Sequence, residues 1–464
     1  MLTEELLDKL QTSEWEELKR FMRFRFPRLR DDVYRSIDAL RESQPITIDR
    51  EKLHKQLFPK AKFNDKVIRY LLTDVNKAIY AFFSYKQLQK QPNKQQLLLL
   101  NELTDRKCER TFSKSFNAAI ADFENSAQAD AESLLHYSEV LGLKAKSELE
   151  SGQRSSDAFE QSALYMDQYF VARKLQISAE KINLNYILKK NWEDPFLEII
   201  LQQIDAGMFS NVPYIQLYRL IILSLTEPEN ETAFASLKSK VPEISKNLPE
   251  SEITDLYQYL LNYCIRKINS GRLKFQDELL AVYQSALEHD ALLTNGKISQ
   301  WDFKNVVTIA LRTGNTEYAR EFIHGYKQAL PSTQRTNALA YNLANLHFSE
   351  QNYRAAISQL QKVDLDDVFY RLDARSILLK SYYELDDQDA LFYHATAFRS
   401  MLNRNRKVSD QQRKLYLNLI KHTLSLSRSA GDKPKVKAIK NRIQEKPNVA
   451  DLRWLESKIR ELEP

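Results

Sequence analysis

A run of positive charge without an acidic residue lies near the amino terminus. From Lys19 to Arg30 the chain reads KRFMRFRFPRLR, with six cations, three phenylalanines and no acidic residue. The cations are Lys19, Arg20, Arg23, Arg25, Arg28 and Arg30. Clustered lysine and arginine bind phosphate, and aromatic rings stack on unpaired bases, so the segment is a candidate contact for an anion or a nucleic acid. The alternative is that the phenylalanines belong to the core and the cations form a solvated or acid-paired face.

A second candidate is the unit from Ile46 to Phe83. Its pattern predicts a short helix between Asp49 and Phe58, a tight turn, and a long helix that begins after Asn64. This is the outline of a helix-turn-helix. The side chains that we expect to be exposed on the long helix are Lys66, Arg69, Tyr70, Thr73 and Lys77.

This unit resembles the winged-helix domains that precede tetratricopeptide arrays in some bacterial transcription regulators. The resemblance implies that DNA contacts lie on the long helix. The chain departs from that family where a β-hairpin wing should follow, because the helical pattern continues to about Gln89 without a glycine.

Motifs for catalysis and for bound cofactors are missing from the sequence. It has no G-x-x-x-x-G-K-[ST], G-x-G-x-x-G, H-E-x-x-H or C-x-x-C. His289 is the only histidine next to an acid in the sequence, and we interpret the pair His289 and Asp290 as part of a surface loop. We therefore predict a protein that is not an enzyme, with no catalytic residue and no cofactor.

Two acidic clusters and two cysteines raise the question of a metal. The clusters are Asp364, Asp366 and Asp367, and Asp386, Asp387 and Asp389. They lack the glycine and the closing glutamate of an EF-hand loop, so we interpret them as helix caps and solvated turns. Cys108 and Cys264 have no paired spacing, which disfavours a disulfide framework or a metal site and fits a reducing compartment.

Charge is unevenly spread along the chain, whose formal net charge is +6. Residues 1–110 carry 23 Lys and Arg against 17 Asp and Glu, and residues 111–398 carry 28 against 38. Residues 399–446 carry 14 against 3. This basic segment could meet an acidic protein, RNA or anionic lipid; alternatively it is a solvated face at the end of a helical array.

The elements that position all these residues are predicted to be helices. Only 8 of the 464 residues are glycine, well below the usual level of about 7%. Hairpins and phosphate-binding loops need glycine for positive φ. No alternating run is long enough for a confident strand, and the nearest is Ile46-Thr47-Ile48. We expect an all-α fold, no membrane-spanning segment and a cytoplasmic location.

The pattern divides the chain into three regions. Residues 1–92 form the N-terminal helical unit, and residues 93–300 form helix pairs without a readable consensus. Residues 301–464 contain clearer repeats and a C-terminal capping helix. Within the last region, Asn337 to Val363 reads as two short helices with small residues where the helices approach. Equivalent alanines lie 37 residues apart (Ala319 and Ala356) and 35 apart (Ala355 and Ala390).

Residues 337–363 resemble a tetratricopeptide repeat, whose period is about 34 residues. The resemblance rests on Ala340, Leu343, Ala344, Tyr353, Ala356, Leu360 and Val363. It implies a right-handed α-solenoid of antiparallel helix pairs, similar to uncharacterised bacterial proteins of this kind. Such arrays bind partners through their first helices. The residues that we assign to that face are Asn337, Tyr341, Asn345, Arg375, Lys380 and Tyr383.

Two functional hypotheses follow. The leading one is a scaffold that binds a partner protein or peptide on the helical array. The alternative is a nucleic-acid-binding regulator that uses the basic N-terminal unit, with the array as a sensor or oligomerisation arm. The sequence names neither the partner nor the oligomeric state.

Overall fold

The fold is described from a computed structural model, which covers residues 2–41, 47–125, 130–152, 157–188, 190, 192–246, 248–361, 368–429 and 432–463. The chain divides into two compact units, Met1–Val171 and Ala172–Pro464. The described residues form 23 helices and one two-stranded hairpin, so the predicted all-α class is confirmed.

Unit 1 begins with helices that share one core. They are α1 Leu2–Asp8, α2 Glu14–Arg25, α3 Asp31–Arg41, α4 Arg50–Leu57 and α5 Asp65–Gln89. Apolar residues of all five helices form one hydrophobic cluster. The helices that follow are α6 Pro92–Asp105, α7 Glu109–Asn125, α8 Ala131–Glu150 and α9 Asp157–Leu188, which continues into unit 2.

Unit 2 continues as successive helices. They are α10 Leu197–Asp205, α11 Pro213–Thr226, α12 Glu231–Ser245, α13 Glu250–Asn269, α14 Phe275–Glu288, α15 Gln300–Arg312, α16 Thr316–Tyr326, α17 Ser332–Ser349, α18 Tyr353–Leu360, α19 Val368–Glu384, α20 Gln388–Arg404, α21 Asp410–Ser427, α22 Lys433–Glu445 and α23 Leu452–Leu462. From α11 on, neighbouring helices pack together. Consecutive members of the alternate series α15, α17, α19, α21 and α23 also pack on each other. This contact pattern is the one expected for stacked helix pairs.

The repeat-like stretch forms the pair α17–α18. Ala344 and Ala356 are fully buried where the two helices meet, because small side chains allow close approach. The turn between the helices has no glycine; Gln351 takes a left-handed conformation with φ 60°. Val363 lies outside the described residues.

A small hairpin was not predicted from the sequence. Strands β1 Leu293–Thr294 and β2 Lys297–Ile298 pair antiparallel, with Leu293 opposite Ile298. The turn residues Asn295 and Gly296 both have positive φ, at 51° and 70°, as a tight two-residue hairpin requires. Of the predicted strand-like run at 46–48, Ile46 lies outside the described residues, and Thr47 and Ile48 form no strand.

Candidate nucleic-acid interface

Helix α5 has a buried face and an exposed face along its first five turns. The buried side chains are Ile68, Leu71, Leu72, Val75, Ile79 and Phe82. The exposed side chains are Lys66, Arg69, Tyr70, Thr73 and Lys77. Because the two sets lie on opposite sides of the helix, burial of the first set holds the second in solvent. The exposed set predicted from the sequence is confirmed.

The three helices α3, α4 and α5 pack pairwise. Residues 58–64 connect α4 to α5, and the buried ring of His54 anchors this connection. That ring lies 5.3 Å from the ring of Phe58 and 5.4 Å from that of Phe63. Asn64 caps α5, because its side-chain oxygen accepts a hydrogen bond from the N–H of Lys66 at 3.1 Å. The helix-turn-helix order is therefore present, and α5 continues to Gln89 where a wing would begin.

Positive charge predominates on this side of unit 1. Residues 50–77 contain eight Lys and Arg against three Asp and Glu. Asp65 accepts ion pairs from Arg50 and Arg69, both at 3.0 Å, and Asp74 lies 3.7 Å from Lys77. Four further lysines are exposed and make no ion pair with any residue that the structure describes: Lys52, Lys55, Lys60 and Lys62. Their charge is therefore free to meet an external anion.

The exposed face of α5 also presents a polar aromatic ring. Tyr70 is 57% exposed, and the ammonium of Lys66 lies 5.9 Å from the centre of its ring. Thr73 donates its hydroxyl hydrogen to the carbonyl of Arg69 at 2.9 Å. The methyl group and hydroxyl oxygen of Thr73 remain available, as do the edge of Tyr70 and the donors of Lys66, which is a set suited to base edges and phosphates.

The arginine-rich segment occupies α2 and the turn after it. Lys19 pairs with Asp38 at 2.7 Å, and Arg30 pairs with Asp32 at 3.1 Å. The remaining four cations are exposed, and the described parts of the chain hold no ion-pair partner for them: Arg20, Arg23, Arg25 and Arg28. Arg23 and Arg25 also lie in the last turn of α2, where a cation is favourable for the helix dipole.

The three phenylalanines of this segment do not all have the same role: some belong to the core, and one is free for stacking on a ligand. Phe21 stacks on Tyr85 with ring centres 5.1 Å apart and lies 5.6 Å from Phe82, while Phe26 packs partly buried against the core. Phe24 is 87% exposed. Two of the three rings are thus structural. The third projects into solvent beside a groove of ≈ 940 Å³ between α2 and α5.

One acidic side chain links the two basic features. Asp74 on α5 lies 4.0 Å from the guanidinium of Arg30 as well as 3.7 Å from Lys77. The end of the arginine-rich segment therefore lies next to the exposed face of α5. The sequence separates the features by about forty residues, and the packing of α2, α3 and α5 brings them together.

The side chains assigned to a protein partner are less exposed in the structure than the sequence predicts. Tyr341 is only 4% exposed and Lys380 only 8%. Asn337, Asn345, Arg375 and Tyr383 are half-buried. The prediction of a solvent-facing row is therefore wrong for Tyr341 and Lys380, because neighbouring first helices close over them.

The contacts that bury this row are specific. Lys304 on α15 pairs with Asp373 on α19, and its ammonium lies 5.3 Å from the ring of Tyr341. Burial raises the pKa of Tyr341 well above its ordinary value. Lys380 pairs with Asp451 at 2.9 Å. The hypothesis of a protein-binding array stays a prediction, now without a defined face.

Asp387 of the second acidic cluster and the histidine of the His289–Asp290 pair have structural roles. Asp387 caps α20, because its carboxylate accepts a hydrogen bond from the N–H of Ala390 at 3.0 Å. Nδ1 of His289 lies 2.9 Å from the carbonyl oxygen of Ser285 and 3.1 Å from the hydroxyl of Tyr257, at the end of α14. The cluster Asp364, Asp366 and Asp367 lies outside the described residues. Among the residues that are described, no group of His, Cys, Asp and Glu could hold a metal ion.

Both cysteines are free thiols, and burial raises the pKa of Cys264 to about 12. Among the described helices, none is long and apolar enough to cross a membrane.

Comparison with known proteins adds no family, since no family model, no curated protein and no solved structure matches the chain.

Proposed function

We propose that the protein binds duplex nucleic acid through its first five helices, with the exposed face of α5 against the base edges of the major groove. The observation that carries the proposal is the exposed row Lys66, Arg69, Tyr70, Thr73 and Lys77 on a helix whose other face is core. A helix with such a row enters the major groove in helix-turn-helix proteins.

Phosphate contacts come from the surroundings of α5. Lys60 and Lys62 precede the helix on the connection from α4, and Arg28 and Arg30 lie at the end of the arginine-rich segment. Lysine and arginine neutralise backbone phosphates and release counterions, which makes affinity fall with salt. Arg69 is already paired with Asp65, so this arginine is oriented by the protein before binding.

The test is fluorescence anisotropy of a labelled random 30-base-pair duplex with the full chain at several salt concentrations. Lys62→Gln/Lys66→Gln removes two exposed cations that lack an ion pair within the described structure. Log affinity falls with log salt, and each lost phosphate contact makes this negative slope shallower by about 1. The slope of the double variant should therefore be shallower than that of the wild type by about 2.

The matched control is Lys94→Gln/Lys114→Gln, which removes two exposed lysines from α6 and α7. It should retain the wild-type slope. Equal slopes for both double variants, or no binding of the wild-type protein at low salt, would remove the proposal.

A further inference from the structure

A second basic feature of the molecule lies in unit 2, at the corner between α20 and α21. A concave site of ≈ 770 Å³ is open to solvent there. Its lining includes four cations, Arg371, Arg404, Arg406 and Lys407, together with the polar residues Ser400 and Asn405. No carboxylate of a described residue lines it.

The backbone at this corner is held in place by one arginine. Arg413 donates hydrogen bonds to the carbonyl oxygens of Leu402, Asn405 and Val408 at 3.0, 3.2 and 3.2 Å. The side-chain oxygen of Asn405 accepts a hydrogen bond from the N–H of Lys407 at 2.9 Å, which closes the turn. The turn that carries two of the cations is therefore built before any ligand arrives.

The carbonyl groups at the end of α20 would otherwise disfavour an anion. The guanidinium of Arg413 offsets that effect, because three carbonyl oxygens of this corner point at it. Arg413 also pairs with the exposed carboxylate of Asp410 at 2.7 Å, whereas Arg404, Arg406 and Lys407 are exposed and make no ion pair with the described residues. The site therefore offers concentrated positive charge whose local carbonyls are already satisfied.

The geometry points to a binding site for a small ligand that carries two or three linked phosphates. Guanidinium groups bind phosphate oxygens in pairs with a planar geometry that an ammonium lacks. The concavity of ≈ 770 Å³ is open to solvent and has room for more than one phosphate group. Several cations around one concavity match the charge of a di- or triphosphate, whereas an extended nucleic-acid strand would need a continuous basic stripe.

Isothermal titration calorimetry of the full chain tests the site with inorganic pyrophosphate, inorganic triphosphate and adenosine triphosphate as separate probes. Binding of all three with similar affinity identifies the linked phosphates as the recognised group, and tighter binding of the nucleotide alone identifies a nucleotide as the source. Sulfate and acetate at the same concentration should not saturate the site.

Arg404→Gln and Arg406→Gln should each weaken pyrophosphate binding about tenfold or more, the effect of losing a charge-assisted hydrogen bond. Arg413→Lys should also weaken pyrophosphate binding, since the turn loses the guanidinium that donates hydrogen bonds to its three carbonyl oxygens. Lys437→Gln, an equally exposed cation on α22, is the control and should bind as the wild type does.

The proposal is overturned if pyrophosphate and triphosphate do not bind, or if the Arg404 and Arg406 variants bind them as tightly as Lys437→Gln does. It is also overturned if single-stranded DNA binds at this corner and pyrophosphate does not compete. Lys62→Gln/Lys66→Gln should leave phosphate binding unchanged, which separates this site from the interface on α5.

Discussion

At the scale of single residues, His394 is the clearest case of burial changing the charge that a side chain can carry. It lies on α20, and its Nε2 is 2.9 Å from the carbonyl oxygen of Arg375. Burial lowers the pKa of His394 to about 4, although that hydrogen bond alone would raise it. The imidazole is therefore largely neutral in the folded protein at neutral pH.

This pKa predicts a loss of stability in mild acid. Between the ordinary histidine pKa of about 6.5 and the lowered value, the unfolded chain takes up a proton that the folded chain does not. The free energy of unfolding should therefore fall as the pH falls, by about 2 kcal/mol at pH 5 from this residue. Urea unfolding of wild type and His394→Gln at pH 7.5, 6 and 5 measures it. The variant should show the smaller fall; parallel pH dependence of the two proteins would contradict the assignment.

Asp451 shows where residue-level reasoning from the sequence ends. The sequence indicates Asn448 as the cap of the last helix, with Asp451 favourable in its first turn. Instead Asp451 precedes α23 with φ 49° and makes no side-chain cap. Its carboxylate accepts hydrogen bonds from Ser376 and Lys380. Those partners lie more than 70 residues away in sequence, so no local pattern predicts them.

At the scale of elements, the docking of α23 depends on Glu384. Its carboxylate accepts hydrogen bonds from Nε1 of Trp454 at 2.6 Å and from the ammonium of Lys458 at 2.9 Å. Glu384 and Lys458 are each only 11% exposed in their side chains. Lys458 has a second acidic neighbour, Glu461 at 2.8 Å, whose side chain is 60% exposed. The same lysine therefore has one buried partner and one solvated partner.

Replacing these two partners should have unequal effects. Glu384→Ala leaves the indole N–H of Trp454 unpaired and the buried ammonium of Lys458 with Glu461 as its remaining partner, which should destabilise unit 2 by about 2–3 kcal/mol. Glu461→Ala, the matched control, should cost less than about 1 kcal/mol. Hydrogen exchange of the α23 amides, measured with urea unfolding, checks both. Equal protection of α23 in the two variants would show that the buried pair does not hold the helix.

Elements with a strong local pattern could be predicted from the sequence. The buried and exposed faces of α5 follow from apolar spacing alone, and its start follows from Asn64. The turn at Gly314 likewise separates α15 from α16, with φ 77°. The hairpin at Asn295-Gly296 was missed because its strands are two residues long, although that dipeptide is itself a hairpin signal.

The buried state of the first-helix row could not be predicted in the same way. Tyr341 and Lys380 occupy positions that helical spacing leaves for solvent. They are buried because α15, α19 and the segment before α23 supply Lys304, Asp373 and Asp451 around them. Such contacts depend on how consecutive helix pairs pack, which is information spread over more than a hundred residues.

At the scale of the whole molecule, the chain contains two compact units, each with a basic surface feature. In unit 1 Asp74 lies next to both Arg30 and Lys77, so the basic residues of 19–30 and of 50–77 are close in space. In unit 2 the basic segment 399–446 includes the corner between α20 and α21. We propose duplex nucleic acid as the ligand of the first and linked phosphates as the ligand of the second, so the two activities should be lost independently.

Binding of duplex DNA by α5 can be tested directly by photo-crosslinking from this helix. The full chain carries p-benzoylphenylalanine in place of Tyr70, which is 57% exposed. A control chain carries it in place of Tyr393, which is 74% exposed on α20. We expect irradiation-dependent crosslinks to a 30-base-pair duplex from position 70, suppressed by high salt and reduced by Lys62→Gln/Lys66→Gln. Crosslinking from position 393 alone, or equally from both positions, would contradict it.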